Sequence, residues 1–428
     1  MSILGLLPML IVGVGVYFLI KLRFFFILHP IKTVKKTFLS GLDKKSRKAL
    51  SLALAGTLGV GNIVGVAYGI SVGGAGCLFW IFVSGIFSSV IKYCESALGA
   101  NFGKEGRGGM MYVITKTVGR LGRAFGSAYS VLCLLLALFM GAALQAQSVA
   151  VSASAALGLK PYAFSFIFAA IVFVTVSGGA KKIENATARV IPMATIAYIF
   201  ICLAIISSGA QGLSSVLAAV FREAFSVKSA AGGVLAFFAS SPMREGFARG
   251  LLSNEAGAGT SSIAQSRSHG SHPAKVGLFG MCEVFFDTTL LCTLTGLAVL
   301  CSGVSVTGSG IVTVLAAFAT VLGRGAPLVL FVLIFAFAYS TVVCWYFYAS
   351  EAIFFLFRKE KSTAFTVIFF ASLLIGALVP EGFLMLSIDS VLFMMSIITL
   401  FALIKSSERI VFLSEQYGLL KSKHSDMR

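Results

Sequence analysis

The chain has 428 residues, 58% hydrophobic and only 12% charged, with a mean hydropathy of +0.96. No soluble domain needs that much apolar surface, so the composition excludes an ordinary globular enzyme and points to an all-α polytopic membrane protein. The formal charge of +18 invites a nucleic-acid reading, but the basic residues are placed as topology signals.

Taking apolar runs of roughly 20 residues as spans, the sequence predicts about eleven. They lie near 3–22, 49–71, 75–98, 127–150, 161–177, 187–209, 231–252, 275–302, 325–356, 363–379 and 382–404. The first has no basic residue ahead of its apolar core and no small-residue cleavage pattern, so it reads as a retained helix. Lys32, Lys35, Lys36, Lys44, Lys45, Arg47 and Lys48 crowd the loop that follows. This basic segment, 29–48, is expected to lie on the inner, anionic surface.

The second span is unusual. Residues 56–65 read Gly-Thr-Leu-Gly-Val-Gly-Asn-Ile-Val-Gly, four glycines inside a membrane segment. Each costs about 1 kcal/mol relative to Ala in a helix interior, and lipid offers no partner to a bared main-chain group. Helix packing through small residues accounts for Gly61 with Gly65. It does not account for Asn62, and the combination predicts a helix broken near Val60 to bind a ligand.

Further basic residues fill 104–123, 181–189, 267–275, 358–361 and 405–428, whereas the other side carries only Lys160, Arg222, Lys228 and Arg324. An excess of Lys and Arg marks cytoplasmic loops. The alternation puts the N-terminus outside and the C-terminus inside the cell's inner (plasma) membrane. Segments 211–228 and 303–323 read as short external pieces, and the charged tail 405–428 as loosely ordered. The eight cysteines fall in or beside apolar spans without CxxC spacing and read as small buried residues. His269 and His272 read as solvated loop residues.

In the seventh span, Gly232, Gly233, Ser240, Ser241, Pro242, Gly246 and Gly250 partly echo the second. Pro242 predicts a kink or break there. Two interrupted spans five apart suggest an inverted five-span repeat behind one extra helix. The expected organisation is 1–48 for the extra helix and basic segment, 49–404 for the core (repeats 49–209 and 231–404) and 405–428 for the tail.

The broken second span suggests chemistry. The outer half-helix beginning near 61–65 would offer free amides and a positive dipole end to a carboxylate. Carbonyls freed from Ala55 to Leu58 suit a small hard cation such as Na⁺, with Thr57 and Asn62 able to complete the shell. Ser340 and Thr341, before Cys344-Trp345-Tyr346, form a second hydroxyl pair. They either ligate an ion or bond back to their own helix. Trp345 either walls a pocket or packs. Ionisable residues within spans are costly. Arg244 or Arg249 is expected to pair with Glu283 or Asp287, the alternative being a proton-coupling carboxylate, and Glu95 is expected at the interface. No nucleophile–base triad or P-loop is present, so the sequence supports neither catalysis nor ATP-driven transport.

Several stretches together resemble the alanine or glycine:cation symporter family (sodium:alanine symporters, amino acid carrier proteins). They are Gly59-Val60-Gly61-Asn62-Ile63-Val64-Gly65-Val66-Ala67, Gly108-Gly109-Met110-Met111-Tyr112 and Arg249-Gly250-Leu251-Leu252-Ser253-Asn254-Glu255-Ala256-Gly257-Ala258-Gly259. His272-Pro273, Glu283-Val284-Phe285-Phe286-Asp287-Thr288, and Phe335-Ala336-Phe337 leading to Ser340-Thr341 and Trp345 complete the set. The resemblance implies the leucine-transporter type of 5+5 inverted repeat with one extra N-terminal helix. It also implies import of a small neutral amino acid of the alanine or glycine class with Na⁺, sometimes H⁺, and no cofactor. By it Gly59, Val60 and Gly61 would meet the substrate carboxylate. Ala55, Leu58, Ser340 and Thr341 would form one Na⁺ site, with Thr57 and Asn62 in a second or shared one. Gln145, Phe237, Phe238 and Trp345 would line the pocket. The family usually has Asn where this chain has Ala142 and commonly Asn at Gln147, and smaller residues at Ala236, Phe237 and Phe238, so the pocket differs in polarity and shape. Two other readings stay open: a proton-coupled permease using Glu283 or Asp287, and a diverged channel or receptor-like module.

Overall fold

A computed structural model describes residues 3–38, 52–103, 107–158, 160–225, 237–238, 240–268, 271–359 and 362–420. It is all-helical among these. In chain order the helices are α1 Leu7–Lys21, α2 Phe25–Leu28, α3 Pro30–Phe38, α4 over 52–57, α5 Val64–Gly73, α6 Gly76–Phe102 and α7 Met110–Thr117. There follow α8 Gly122–Leu136, α9 Leu144–Leu157, α10 Pro161–Ser177, α11 Gly179–Ser208, α12 Leu213–Ala224, α13 Ser241–Asn254 and α14 Ser261–Gln265. The remainder are α15 Pro273–Val284, α16 Thr293–Cys301, α17 Gly310–Leu322, α18 Ala326–Phe357, α19 Thr363–Gly376, α20 Glu381–Lys405 and α21 Ser407–Gln416. Among the described residues, six helical stretches are long and apolar enough to cross a membrane, and shorter apolar helices coincide with most of the other predicted spans.

Glycine sets where helices approach closely. A side chain at Gly141 would reach within 2.6 Å of Trp345 Cγ, and one at Gly277 would reach Tyr93 at 2.7 Å. Small residues allow such contacts in lipid, where packing rather than hydrophobicity drives association. Two stretches wind as π-helix, Ala137–Ala143 between α8 and α9 and Phe285–Cys292 between α15 and α16. Such bulges concentrate at functional sites, and here both flank the broken second span.

Pro242 sits in the first turn of α13, where its missing N–H has no partner to lose. Residues 237–238 are helical and Ser240 is not (ψ 144°), so the seventh span is interrupted just ahead of Pro242. A further interruption follows Asn254, where Glu255 is left-handed (φ +55°) and Gly257 and Gly259 have φ of +87° and +74°. Two expectations are corrected. The tail is not loose over 407–416: it is the helix α21, with Ile410 and Leu413 buried and the Ser414 hydroxyl 2.6 Å from that of Tyr93. His272 caps α15 by accepting from the Ala274 N–H (3.2 Å) and stacks on Tyr417 at 5.0 Å; burial holds its pKa below the usual value. His269 and Ala236 lie outside the described residues. All eight cysteines are free thiols, seven of them buried.

Candidate functional site

The second span is discontinuous. The first half-helix, α4, ends at Thr57, a single 3-10 turn runs Val60–Asn62, and α5 starts at Val64. Helix ends leave orphan carbonyls and amides, and neighbouring helices take some of them. The Thr341 hydroxyl donates to the Ala55 carbonyl at 3.3 Å, and the Cys344 thiol to that of Leu52 at 3.1 Å. Gly59 N–H donates to Asn62 Oδ1 at 3.2 Å, and Val60 N–H to Gln145 Oε1 at 3.4 Å. Gln145 is itself held by its amide on the Met140 carbonyl (3.0 Å), inside the first π segment. A side chain at Gly59 would lie 2.6 Å from Thr341 Oγ1. Only glycine lets α18 come this close to the break.

α13 runs antiparallel to α5. Side chains added at Gly73, Gly69 and Gly65 would meet Glu245, Arg249 and Leu252 in turn, and one at Gly61 would lie 3.4 Å from the Leu252 carbonyl. The C-terminal end of α13 therefore stops against the bend that starts α5. A helix start, which favours an anion, thus adjoins a helix end, which favours a cation. Lys92 meets that end, its ammonium 2.5 Å from the Asn254 carbonyl.

Asn62 and Asp287 join the two. The Asn62 amide donates to the Asp287 carbonyl (3.2 Å) and to its carboxylate, which also accepts from Ser253 and from Thr288 (3.0 Å). Asp287 is fully buried. The expected ion pairs are corrected accordingly. Arg249 bonds Asp389 and faces Glu245 at 3.6 Å, Arg244 pairs with Glu245 at 3.1 Å, and Glu283 pairs with Lys92 at 3.2 Å. Glu95 has no exposed surface.

The residues singled out in the sequence are unevenly gathered. Ala55, Leu58, Gly59, Val60, Gly61, Asn62, Gln145 and Thr341 converge on the break, all buried. The hydroxyls of Thr57 and Ser340 bond back to Ala53 (3.3 Å) and Ala336 (2.9 Å) in their own helices. Trp345 packs on Gly141, and its indole N–H is buried without a hydrogen-bond partner. Phe237 makes its ring contacts with Trp80 (5.6 Å) and Phe238 (6.0 Å). Sequence reasoning missed Ser253 and Lys92 as partners of this region. The Gly-Ala-Gly run at 257–259, much like Gly-Val-Gly at 59–61, was the available signal.

Spanning helices interrupted beside buried polar side chains define a polytopic membrane transporter rather than an enzyme. The profile of the sodium:alanine symporter family matches residues 2–427, and the chain belongs to that family. It is 31% identical to the uncharacterized transporter YflA of Bacillus subtilis (96% of this chain, 92% of that one). It is 29% identical to the sodium/alanine symporter AgcS of Methanococcus maripaludis (84% and 82%) and 29% to the probable sodium/glutamine symporter GlnT of Bacillus subtilis (83% and 76%). Among solved structures, a manganese transporter of Eremococcus coleocola shares the fold, with a TM-score of 0.51 at 13% identity over 89% of this chain and 83% of that one. The protein is accordingly a cation-coupled amino acid transporter.

Proposed function

We propose that the protein imports a small neutral amino acid, of the alanine or glycine class, together with Na⁺ by alternating access. The observation that carries this reading is the meeting of two helix ends of opposite polarity at the Leu58–Ile63 break. A zwitterion fits such a junction. Its carboxylate would take the amides at Gly59, Val60 and Gly61 at the start of α5, and its ammonium the carbonyl end of α13 and the charge of Asp287. Na⁺ would bind the oxygens of Ala55, Leu58 and Thr341, with Thr57, Asn62 and Ser340 joining if their side chains turn from their present partners. The unpartnered Trp345 N–H supports a ligand-facing role, because buried donors are ordinarily satisfied. Phe237 and Phe238 would close the apolar side of the pocket.

Eleven spans, an inverted repeat of 49–209 with 231–404 behind the extra N-terminal helix, and an outside N-terminus in the plasma membrane complete the reading. Support comes from the basic loops and from interruptions in the second and seventh spans. Relatives named for alanine and for glutamine frame the substrate test. Purified protein in proteoliposomes, given an inward Na⁺ gradient, should accumulate alanine or glycine and lose accumulation when choline replaces Na⁺. Failure to accumulate any neutral amino acid would end the proposal; preference for glutamine would revise the substrate.

A further inference from the structure

A second polar cluster lies sealed around the α13 interruption. Lys92 has no exposed surface, and its ammonium contacts the Asn254 carbonyl and Glu283 Oε1 (3.2 Å). The Ser261 hydroxyl donates to the same carboxylate oxygen at 2.8 Å. One helical turn from Lys92, Glu95 accepts the Gly257 N–H at 2.7 Å, and Glu255 accepts from the Thr260 hydroxyl. Glu95, Glu255 and Glu283 are each wholly buried, and each keeps one oxygen with no hydrogen-bond partner.

The charges do not balance. Three carboxylates surround one ammonium, leaving two negative charges in excess if all are ionised. Isolated buried charges are too costly to persist and are neutralised instead. Among the described residues, no other cation faces Glu95 or Glu255. Asp287 acts on Glu255 from the second π segment and adds negative charge. Tyr129 and Cys133 of α8, and Cys344 and Tyr348 of α18, reach the same field as neutral phenols and thiols. α20 brings only the hydroxyls of Thr399 and Ser396. Protonation of a carboxylate removes one of the two excess charges.

Its place follows from the partners. Glu283 is paired with the Lys92 ammonium at 3.2 Å, and Glu95 takes a main-chain N–H, whereas Glu255 has only a hydroxyl. Glu255 also heads the left-handed turn through Gly257 and Gly259, the non-helical link between α13 and α14. We propose that Glu255 is a proton-binding site, loaded in this closed arrangement and emptied when the turn between α13 and α14 opens. The step is a simple protonation: a proton from water adds to a Glu255 oxygen and leaves from the same O–H bond.

The site itself is tested without transport. Infrared spectra of the purified protein at neutral pH should show a protonated-carboxyl C=O stretch that shifts in D2O, disappears in Glu255→Gln and survives in Glu381→Gln. Identical spectra for wild type and Glu255→Gln would overturn the proposal. If that variant does not fold, Glu255→Asp should move the band instead; a band unmoved in Glu255→Asp, or its absence from wild type from neutral down to mildly acidic pH, would overturn the proposal too. The second measurement rests on the Na⁺-coupled reading: uptake by wild type should change several-fold with pH, and Glu255→Gln should flatten that profile. An unchanged profile in the variant would overturn the proton site, whereas a normal infrared band without any uptake would overturn the transport reading and leave the proton site standing.

Discussion

Asn62 clasps Asp287 twice, through the main-chain carbonyl and through the carboxylate, and so ties the bend of the second span to the π segment before α16. The same Asn62 side chain accepts the Gly59 N–H. One residue therefore shapes the turn and satisfies a buried carboxylate. Asn62→Ala should cost about 1–3 kcal/mol, the penalty for leaving buried polar groups unsatisfied, and raise the Na⁺ concentration needed for half-maximal uptake. Thermal unfolding in detergent and a Na⁺ titration of uptake check the two effects separately. Unchanged Na⁺ dependence would remove Asn62 from the cation site.

Gly141 is where the helix carrying Gln145 meets Trp345. A methyl group there would sit 2.6 Å from the indole Cγ, and overpacking of this kind costs about 1–3 kcal/mol. Gly141→Ala should displace Trp345 and raise the substrate concentration for half-maximal uptake. Gly13 offers the control, since nothing lies within 4 Å of an added side chain there. Gly13→Ala should be neutral or stabilise α1 by up to about 1 kcal/mol through helix propensity. Equal stability of both variants in the same unfolding assay would contradict the close contact.

Local chemistry made the membrane helices legible and hid their partners. The run predicted at 161–177 is the observed Pro161–Ser177, and 325–356 became Ala326–Phe357, because apolar length alone decides a span. The break near Val60 was legible because four glycines and an Asn contradict the helix around them. Pro242 was legible too, because proline cannot continue a helix but is tolerated in the first turn of the one that starts after the break at Ser240. The interruption at Glu255 depends on Lys92 and Glu95, more than 150 positions away in the chain. No local pattern reports such partners. For the same reason Arg249 was matched with Glu283 or Asp287 of the eighth span when its carboxylate, Asp389, lies on α20.

Arg249 is the buried cation of a second network. It bonds Asp389, faces Glu245 at 3.6 Å and lies over the Tyr68 ring at 5.6 Å. Removing one partner of a buried pair leaves an uncompensated charge, at about 3–5 kcal/mol. Arg249→Leu should be the more damaging change because it strands Asp389 and leaves Glu245 only Arg244, whereas Asp389→Asn leaves Arg249 its contact with Glu245. Unfolding temperatures of both variants and of the double variant check this ranking. Strictly additive losses in the double variant would mean that the pair is not energetically coupled.

His272 gives a pH dependence outside the membrane spans. Its Nδ1 accepts the Ala274 N–H at the start of α15, and only an unprotonated Nδ1 can accept. Burial lowers its pKa from the ordinary value, so the folded state prefers the neutral ring. The cap is then fully present above about pH 6.5, the ordinary histidine value, and is lost as pH falls through the lower folded-state value. A cap of this kind contributes about 1 kcal/mol. Stability measured across that window should fall on acidification in wild type, and His272→Asn, whose amide oxygen caps without titrating, should remove that component. An identical acid-side loss in the variant would assign it to other groups.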